Sequence, residues 1–328
     1  MSPEPRAGRS VHRSGREGSW TTTTFTRRSL LALAATALAA PLLRAVPAAA
    51  GDDALVFLVI GDWGDPAHAS DLRRVARGMA RTAEKLAPAF VVSVGDNFYP
   101  GGVRDTDDPL WREMFEDMFD AAALGCPWYP VLGNHDHKGN PEAEILYSAS
   151  SRRWRMPARY YRHTATTPQG AALELFFLDT NALVRLNEFQ KWVRYPQTLR
   201  EQVRWLEEGL KTSPANWKVV VGHHPLHSGG FHGGEATLQK ILEPLLVRYR
   251  VQAYINGHDH HLERIERDGV NYVTCGSGSE ARPVPTSRDG HFLAARLGFA
   301  SILIGERMEI RFHDADGAVL HRAYVHRR

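Results

Sequence analysis

Five times along this chain a short apolar run stops at a glycine that is followed by Asp, Asn or His. The runs are Ala54–Ile60 before Gly61-Asp62, Phe90–Val94 before Gly95-Asp96, Trp128–Leu132 before Gly133-Asn134, Val219–Val221 before Gly222-His223, and Val251–Asn256 before Gly257-His258. Continuous apolar, β-branched runs of this length read as buried strands. Glycine lets the backbone turn at their ends, and α/β folds gather their chemistry at the carboxyl edge of a sheet. One such residue is an ordinary turn former. Asp62, Asp96, Asn134, His223 and the His258/His260 pair, all metal-capable and all at strand ends, point to a shared site.

The intervening segments fit an α/β fold. Pro66–Leu86 has helical periodicity, with Leu72, Val75, Ala76, Met79, Ala83 and Leu86 on one face, and Pro88 stops it. Asp107–Leu124 predicts a second helix, Thr198–Leu210 a third, and Glu235–Tyr249 a fourth despite Pro244. Repeated strand–loop–helix order predicts a parallel sheet with helices on its faces. Residues 137–170 read as a long polar excursion over the site, with Arg152–Tyr161 as a solvated loop, and 182–197 as a second irregular segment. From Leu262 onward the pattern is antiparallel hairpins, with Asp268-Gly269 and Asp316-Gly317 as turns. Neither an internal repeat nor a linker interrupts residues 51–328, which predicts one catalytic domain.

The first fifty residues stand apart. Arg27-Arg28-Ser29-Leu30-Leu31 leads into an apolar run to Leu43 and then the small residues Ala48-Ala49-Ala50. That order reads as an export signal of twin-arginine type rather than a membrane span, and implies a secreted or periplasmic protein. The segment holds seven arginines against two glutamates, a net of +5, so the whole-chain charge of +3 leaves −2 for the remainder. The basic balance is therefore a property of the leader, and no nucleic-acid surface is implied. No later stretch is long and apolar enough to span a bilayer. Cys126 and Cys275 are too few for a disulfide scaffold; export permits a bridge, but their positions at strand edges favour two buried free thiols.

Gly61-Asp62, Gly95-Asp96, Gly133-Asn134-His135-Asp136, Gly222-His223 and Gly257-His258-Asp259-His260 resemble the calcineurin-like metallophosphoesterases. Most of that superfamily carries a histidine ligand where this chain has Gly64, in Asp62-Trp63-Gly64. Tyr99, in Gly95-Asp96-Asn97-Phe98-Tyr99, can replace it, and that exchange marks the purple acid phosphatases, most closely the small mammalian type. The resemblance spans about Ala54 to Tyr272. It implies a metallophosphoesterase-type β-sandwich of mixed sheets flanked by helices, with the site at strand carboxyl ends.

Carried over residue by residue, the resemblance assigns Asp62, Asp96, Tyr99 and His260 to a ferric ion. It assigns Asp96, Asn134, His223 and His258 to a divalent ion (Fe, Zn or Mn), with Asp96 bridging. Carboxylate and phenolate oxygens suit Fe(III), and imidazoles with an amide suit a borderline divalent metal. The implied reaction is hydrolysis of phosphomonoesters at acid pH by a metal-bound hydroxide. His135 and His232 match the residues that bind phosphate and protonate the leaving group, and the glycines around His232 could equally make its loop a flexible lid. This chain departs from the small type at His224, where that type has Tyr. Trp63 is expected to pack beneath the site, Asp136 and Asp259 to orient their neighbours, and His137, His227 and His261 to face solvent or support the ligands. A phosphodiesterase or nucleotidase on the same core is the alternative. A non-enzymatic metal-binding protein is disfavoured, because every ligand position and His135 are filled.

Overall fold

The structure, a computed structural model, describes residues 53–184, 196–284 and 292–327. The proposed leader, and most of the segment 182–197, lie outside the described residues.

Two mixed sheets face one another. The first has the order β13-β12-β11-β1-β2-β3. Its parallel core is β1 (Leu55–Ile60), β2 (Phe90–Ser93) and β3 (Trp128–Pro130). Antiparallel β11 (Gly298–Ile304), β12 (Met308–Asp314) and β13 (Val319–Val325) extend it from β1. In the second sheet, β5 (Ala172–Phe177), β6 (Trp217–Val221), β7 (Ala253–Asn256) and β9 (Val270–Cys275) run parallel. β4 (Tyr161–Thr166), β8 (Leu262–Arg267) and β10 (Phe292–Ala294) are its antiparallel additions. The expected parallel arrangement thus holds at the centre of each sheet, and the expected C-terminal hairpins form their margins.

The second sheet is buried on both faces, which is why its strands read as unbroken apolar runs. Leu173, Leu175, Phe177, Val219, Val221 and Ile255 join the core shared with the first sheet. Their neighbours Phe176, Val220 and Tyr254 pack with Leu206, Leu210, Leu238, Leu242 and Leu246 of the helices Pro196–Thr212 and Ala236–Arg248. The helix Ala69–Leu86 buries the face predicted for it, after a single turn at Pro66–His68 that Asp65 caps by accepting from the N–H of Ala67 (2.9 Å). It ends at Ala87 in a left-handed conformation, whose N–H bonds back to Ala83. Among the described residues no helix is long and apolar enough to cross a membrane. Both cysteines are free: Cys275 is buried with its thiol 3.3 Å from the Val59 carbonyl, and Cys126 is half-buried.

Three local expectations are corrected. Asp107–Leu124 is not a helix; it forms a wide turn of helix at Trp111–Glu116 and a tight one at Ala122–Leu124. The cause lies on a distant segment. The buried guanidinium of Arg153 donates to the carbonyls of Glu116 (3.2 Å) and Phe119, acceptors that a continuing helix would use, and to that of Phe115 (3.4 Å), which also takes the N–H of Phe119 (3.1 Å). It also pairs with the Glu116 carboxylate (2.6 Å) and lies over the Phe115 ring. Arg152–Tyr161 is therefore no solvated loop: Arg153, Trp154 and Met156 are buried in it. The excursion 137–170 is more ordered than its polarity suggests, holding the helix Pro141–Tyr147 and strand β4.

Replacing Arg153 by Ala leaves the carbonyls of Glu116 and Phe119 and one oxygen of the Glu116 carboxylate without their donor. Urea denaturation should show a loss of about 2–4 kcal/mol. The same change at exposed Arg152 should cost about 0.5 kcal/mol or less.

Candidate metal centre

The carboxyl ends of β1, β2 and β3 in one sheet and of β6 and β7 in the other meet at one rim. Within the first sheet the ladder continues past the strands, with the N–H of Asp62 on Gly95 O (3.0 Å) and of Trp63 on Asp96 O (3.3 Å). Between the sheets, the N–H of His258 donates to Asp62 Oδ2 (3.0 Å), and His223 Nδ1 lies 2.9 Å from Val94 O. Asp62, Asp96 and His258 hold positive φ angles of 55°, 49° and 70°, a conformation that non-glycine residues adopt at a cost of order 1 kcal/mol each. The surrounding hydrogen bonds hold that strain and turn all three side chains inward.

Six of the seven residues expected to hold metal come together, and the seventh, Asn134, sits between Gly133 and His135, which both lie against Asp96. Tyr99 Oη lies 3.0 Å from Asp96 Oδ2, 3.2 Å from Asp62 Oδ1 and 3.5 Å from His260 Nε2. His260 Nε2 is also 3.5 Å from Asp62 Oδ1. On the other side of Asp96, His223 Nε2 is 3.5 Å from Asp96 Oδ2 and 3.2 Å from His258 Nδ1. Ligand atoms of Asp62, Asp96 and His223 lie within 4.8 Å of one another, as do those of His223, His224 and His258. Asn134 is buried with its side-chain Oδ1 free of any hydrogen-bond partner among the described residues. A buried carbonyl oxygen left this way can serve as a ligand to a cation. The donor set divides about Asp96 into an oxygen-rich half (Asp62, Tyr99, with His260) and a nitrogen-rich half (His223, His258, with Asn134). Hard and borderline ions suit the two halves respectively.

The electrostatics require positive charge. Burial pushes the Asp62 carboxyl well above the usual carboxylate range, with Asp96 beside it adding to the effect. Burial likewise raises the Tyr99 phenol, and both carboxylates raise it further. Asp96 goes the other way: burial opposes its ionisation, but the neighbouring His223 and the N–H of His135 (2.7 Å) hold it below the usual range. For His223, burial is outweighed by Asp96, and its pKa is pushed up to about 9. Without a cation the cluster thus keeps protons on Asp62, Tyr99 and His223; a bound cation favours releasing them.

A ring of supporting groups fixes these ligands. Asp136 accepts from the backbone N–H groups of Gly133 (2.7 Å), Asn97 (2.9 Å) and Phe98 (3.1 Å), tying the loop after β2 to the loop after β3. Asn97 reaches on to the fully buried Glu144 (3.0 Å). Thr180 Oγ1 accepts from the N–H of His223 (3.2 Å) and of His224 (3.1 Å), so its one hydrogen is directed at His224 Nδ1 (2.9 Å). Glu280 Oε2 lies 2.9 Å from His260 Nδ1, the arrangement by which a carboxylate orients a metal-ligating imidazole. Glu144, Thr180 and Glu280 carried no sequence signal of this role: the partners of Glu144 and Thr180 are 43 or more positions distant. Trp63 packs below the site as expected, with its indole N–H on Ser93 (2.8 Å). His137, His227 and His261 do not face solvent; each is paired with a carboxylate, of Asp179, Glu243 and Glu263 respectively.

Gly64 has a specific structural reason. A Cβ built there would sit 1.8 Å from Asn97 O, because the loop carrying Tyr99 folds directly over it and the N–H of Tyr99 bonds to Gly64 O (2.8 Å). At the rim, the half-buried His135 ring lies 4.3 Å from Tyr99, with Nδ1 2.6 Å from Pro100 O. The His232 ring lies 4.3 Å from His258. Both candidate catalytic histidines therefore flank the ligand cluster.

Residues 55–262 match the calcineurin-like phosphoesterase family. Human tartrate-resistant acid phosphatase type 5 is 36% identical over 298 residues, which cover 84% of this chain and 92% of that one. Purple acid phosphatase 4 of Arabidopsis thaliana is 34% identical over 290 residues, 83% of each chain. Among solved structures, GAP50 of Plasmodium, described as the anchor in the inner membrane complex, superposes with a TM-score of 0.76 at 26% identity, covering 84% of this chain and 89% of the other.

Because the folded protein raises the Asp62 pKa, Asp62 contributes stability below about pH 4 that is lost as pH climbs towards its raised value. Chelated wild type should therefore lose melting temperature relative to chelated Asp62→Asn as pH rises from 4 to 8. Adding metal should restore the wild type and stabilise the variant less, since the variant keeps the other ligands but lacks one carboxylate.

Proposed function

This chain belongs to the calcineurin-like phosphoesterase family and, within it, to the purple acid phosphatases, and on that premise we propose that it is an exported acid phosphomonoesterase with a mixed-valence metal pair. The observation that carries this reading is the contact of Tyr99 Oη with both Asp62 and Asp96. Asp62, Asp96, Tyr99 and His260 would hold Fe(III); Asp96, Asn134, His223 and His258 would hold a divalent Fe, Zn or Mn, with Asp96 common to both. Bound there, the pair supplies charge neutralisation for phosphate and an acidic water at low pH.

The chain's own groups do the rest. His135 stands on the Tyr99 side of the cluster and His232 on the His258 side, so an ester phosphate between them meets an imidazole at each flank. His135 binds and orients a phosphate oxygen. His232 holds the proton that the leaving oxygen needs, and its backbone N–H on Asp259 Oδ1 (2.9 Å) fixes where that proton is presented. Residues 1–50 act as the twin-arginine leader, a route that exports folded proteins and places the single catalytic domain 51–328 outside the cytoplasm. A phosphodiesterase or nucleotidase on the same centre remains the competing enzyme reading. The Plasmodium neighbour, described as an anchor, raises a non-enzymatic one, against which it counts that all seven ligand positions and His135 are filled in this sequence.

Purified protein loaded with iron should be coloured by a tyrosinate–Fe(III) charge-transfer band that Tyr99→Phe abolishes. A colourless, iron-free but fully active protein would overturn the metal assignment. Turnover should be faster on 4-nitrophenyl phosphate than on bis(4-nitrophenyl) phosphate, and the reverse order would favour the diesterase. His232→Ala should lower kcat on an alkyl phosphate by about 100-fold, the usual size of a general-acid contribution, with bound metal unchanged.

A further inference from the structure

The segment Ser228–Gly234, which carries His232, is not a loose lid. Asp259, which lies between His258 and His260, accepts from the His232 N–H (2.9 Å) and from the Ser228 hydroxyl. Glu263 accepts from the Gly229 N–H (2.9 Å), and the N–H of Glu235 closes the base of the loop on Pro225 O (3.0 Å). Gly230 is glycine because of close approach: a Cβ there would lie 2.5 Å from His261 Cε1 and 2.6 Å from Asp259 Cγ. The loop is thus moulded onto the strand end that bears the metal-ligand histidines.

One large side chain on this pinned loop is left in water. Phe231 is 80% exposed, the most exposed large apolar residue among those described. Its ring meets the His232 ring edge-on, at 5.1 Å and 87°, and the His232 ring lies 4.3 Å from His258. The rings therefore form a series leading outward from the metal centre: His258, His232, Phe231. A phosphoester bound at the centre presents its leaving oxygen to His232, and the rest of the leaving group continues to the next ring in the series.

We infer that Phe231 is a specificity residue of this chain, adding an aromatic contact for the leaving group that raises affinity for a flat aromatic group over an alkyl one. The inference rests on the phosphatase reading and on His232 as the group at the leaving oxygen. Because the loop is already held, an aromatic contact there needs little further ordering. Edge-to-face or offset stacking with Phe231 discriminates an aryl group from an alkyl group of similar size.

The test uses the full metal-loaded chain and two phosphonates that cannot be hydrolysed, so that binding is read apart from turnover. Titration calorimetry should show wild type binding phenylphosphonate roughly three- to tenfold more tightly than methylphosphonate, the range expected for one aromatic pair. Phe231→Ala should abolish that ratio while leaving methylphosphonate affinity and the melting temperature unchanged, and Phe231→Trp should keep it. In parallel, Phe231→Ala should raise KM for phenyl phosphate without altering kcat/KM for glycerol 2-phosphate. A ratio unchanged by Phe231→Ala, or equal losses on both ligands, overturns the aromatic contact alone. Failure of metal-loaded wild type to bind either phosphonate overturns the phosphatase reading and the aromatic contact with it.

Discussion

Three acidic oxygens, from Asp62, Asp96 and Tyr99, are buried within hydrogen-bonding reach of one another, and the rest of the fold is built around that arrangement. Left alone it is unfavourable: each added negative charge is desolvated and faces another. Protons or cations must be shared among the three. The left-handed backbone at Asp62, Asp96 and His258 adds a further cost at the same place. A fold that concentrates strain and unsatisfied charge at one rim must hold that rim from outside, and it does so from both sheets.

The holding is mostly backbone donors aimed at carboxylates. Asp136 gathers N–H groups from two strand-end loops, Asp62 receives the N–H of His258 from the opposite sheet, and Asp96 receives that of His135. These bonds run between segments far apart in sequence, so no single loop can shift without breaking contacts to another. The imidazoles are fixed in the same way, His223 by a carbonyl of β2's extension and His260 by Glu280. The donors also divide by sheet: the first supplies the oxygens, that of Asn134 among them, and the second the imidazole nitrogens.

How much of this was legible in the sequence depended on the distance over which the decisive interaction acts. Asp62, Asp96, Asn134, His223, His258 and His260 could be read because each is announced locally, by an apolar run and a glycine. Their meeting follows from parallel strands sharing an edge. The parallel strands of the second sheet were legible for the same reason, since burial on both faces leaves an unbroken apolar run, whereas half-exposed β4 was not. Residues 107–124 misled because their periodicity is helical while their carbonyls belong to Arg153, nearly forty positions on. The polar composition of Arg152–Tyr161 hid a buried guanidinium and a buried indole, each satisfied by partners that composition does not reveal. Glu144 and Glu280 were silent because a carboxylate that orients another residue has no motif of its own. The glycines near His232 suggested mobility, whereas Gly230 lets the loop lie against the side chains of Asp259 and His261.

The contact between Gly64 and the loop that delivers Tyr99 constrains the history of such a site as well as its shape. With the backbone drawn as it is, position 64 has no room for even one carbon, so a histidine there and a tyrosine ligand at 99 cannot coexist. The two ways of completing the oxygen-rich half are alternatives, not additions. A lineage passing from one to the other cannot acquire the new ligand before giving up the old. It must cross a stage with an incomplete centre, or move the whole Asn97–Tyr99 loop in the same step. A single missing side chain therefore marks a barrier that stands equally in both directions.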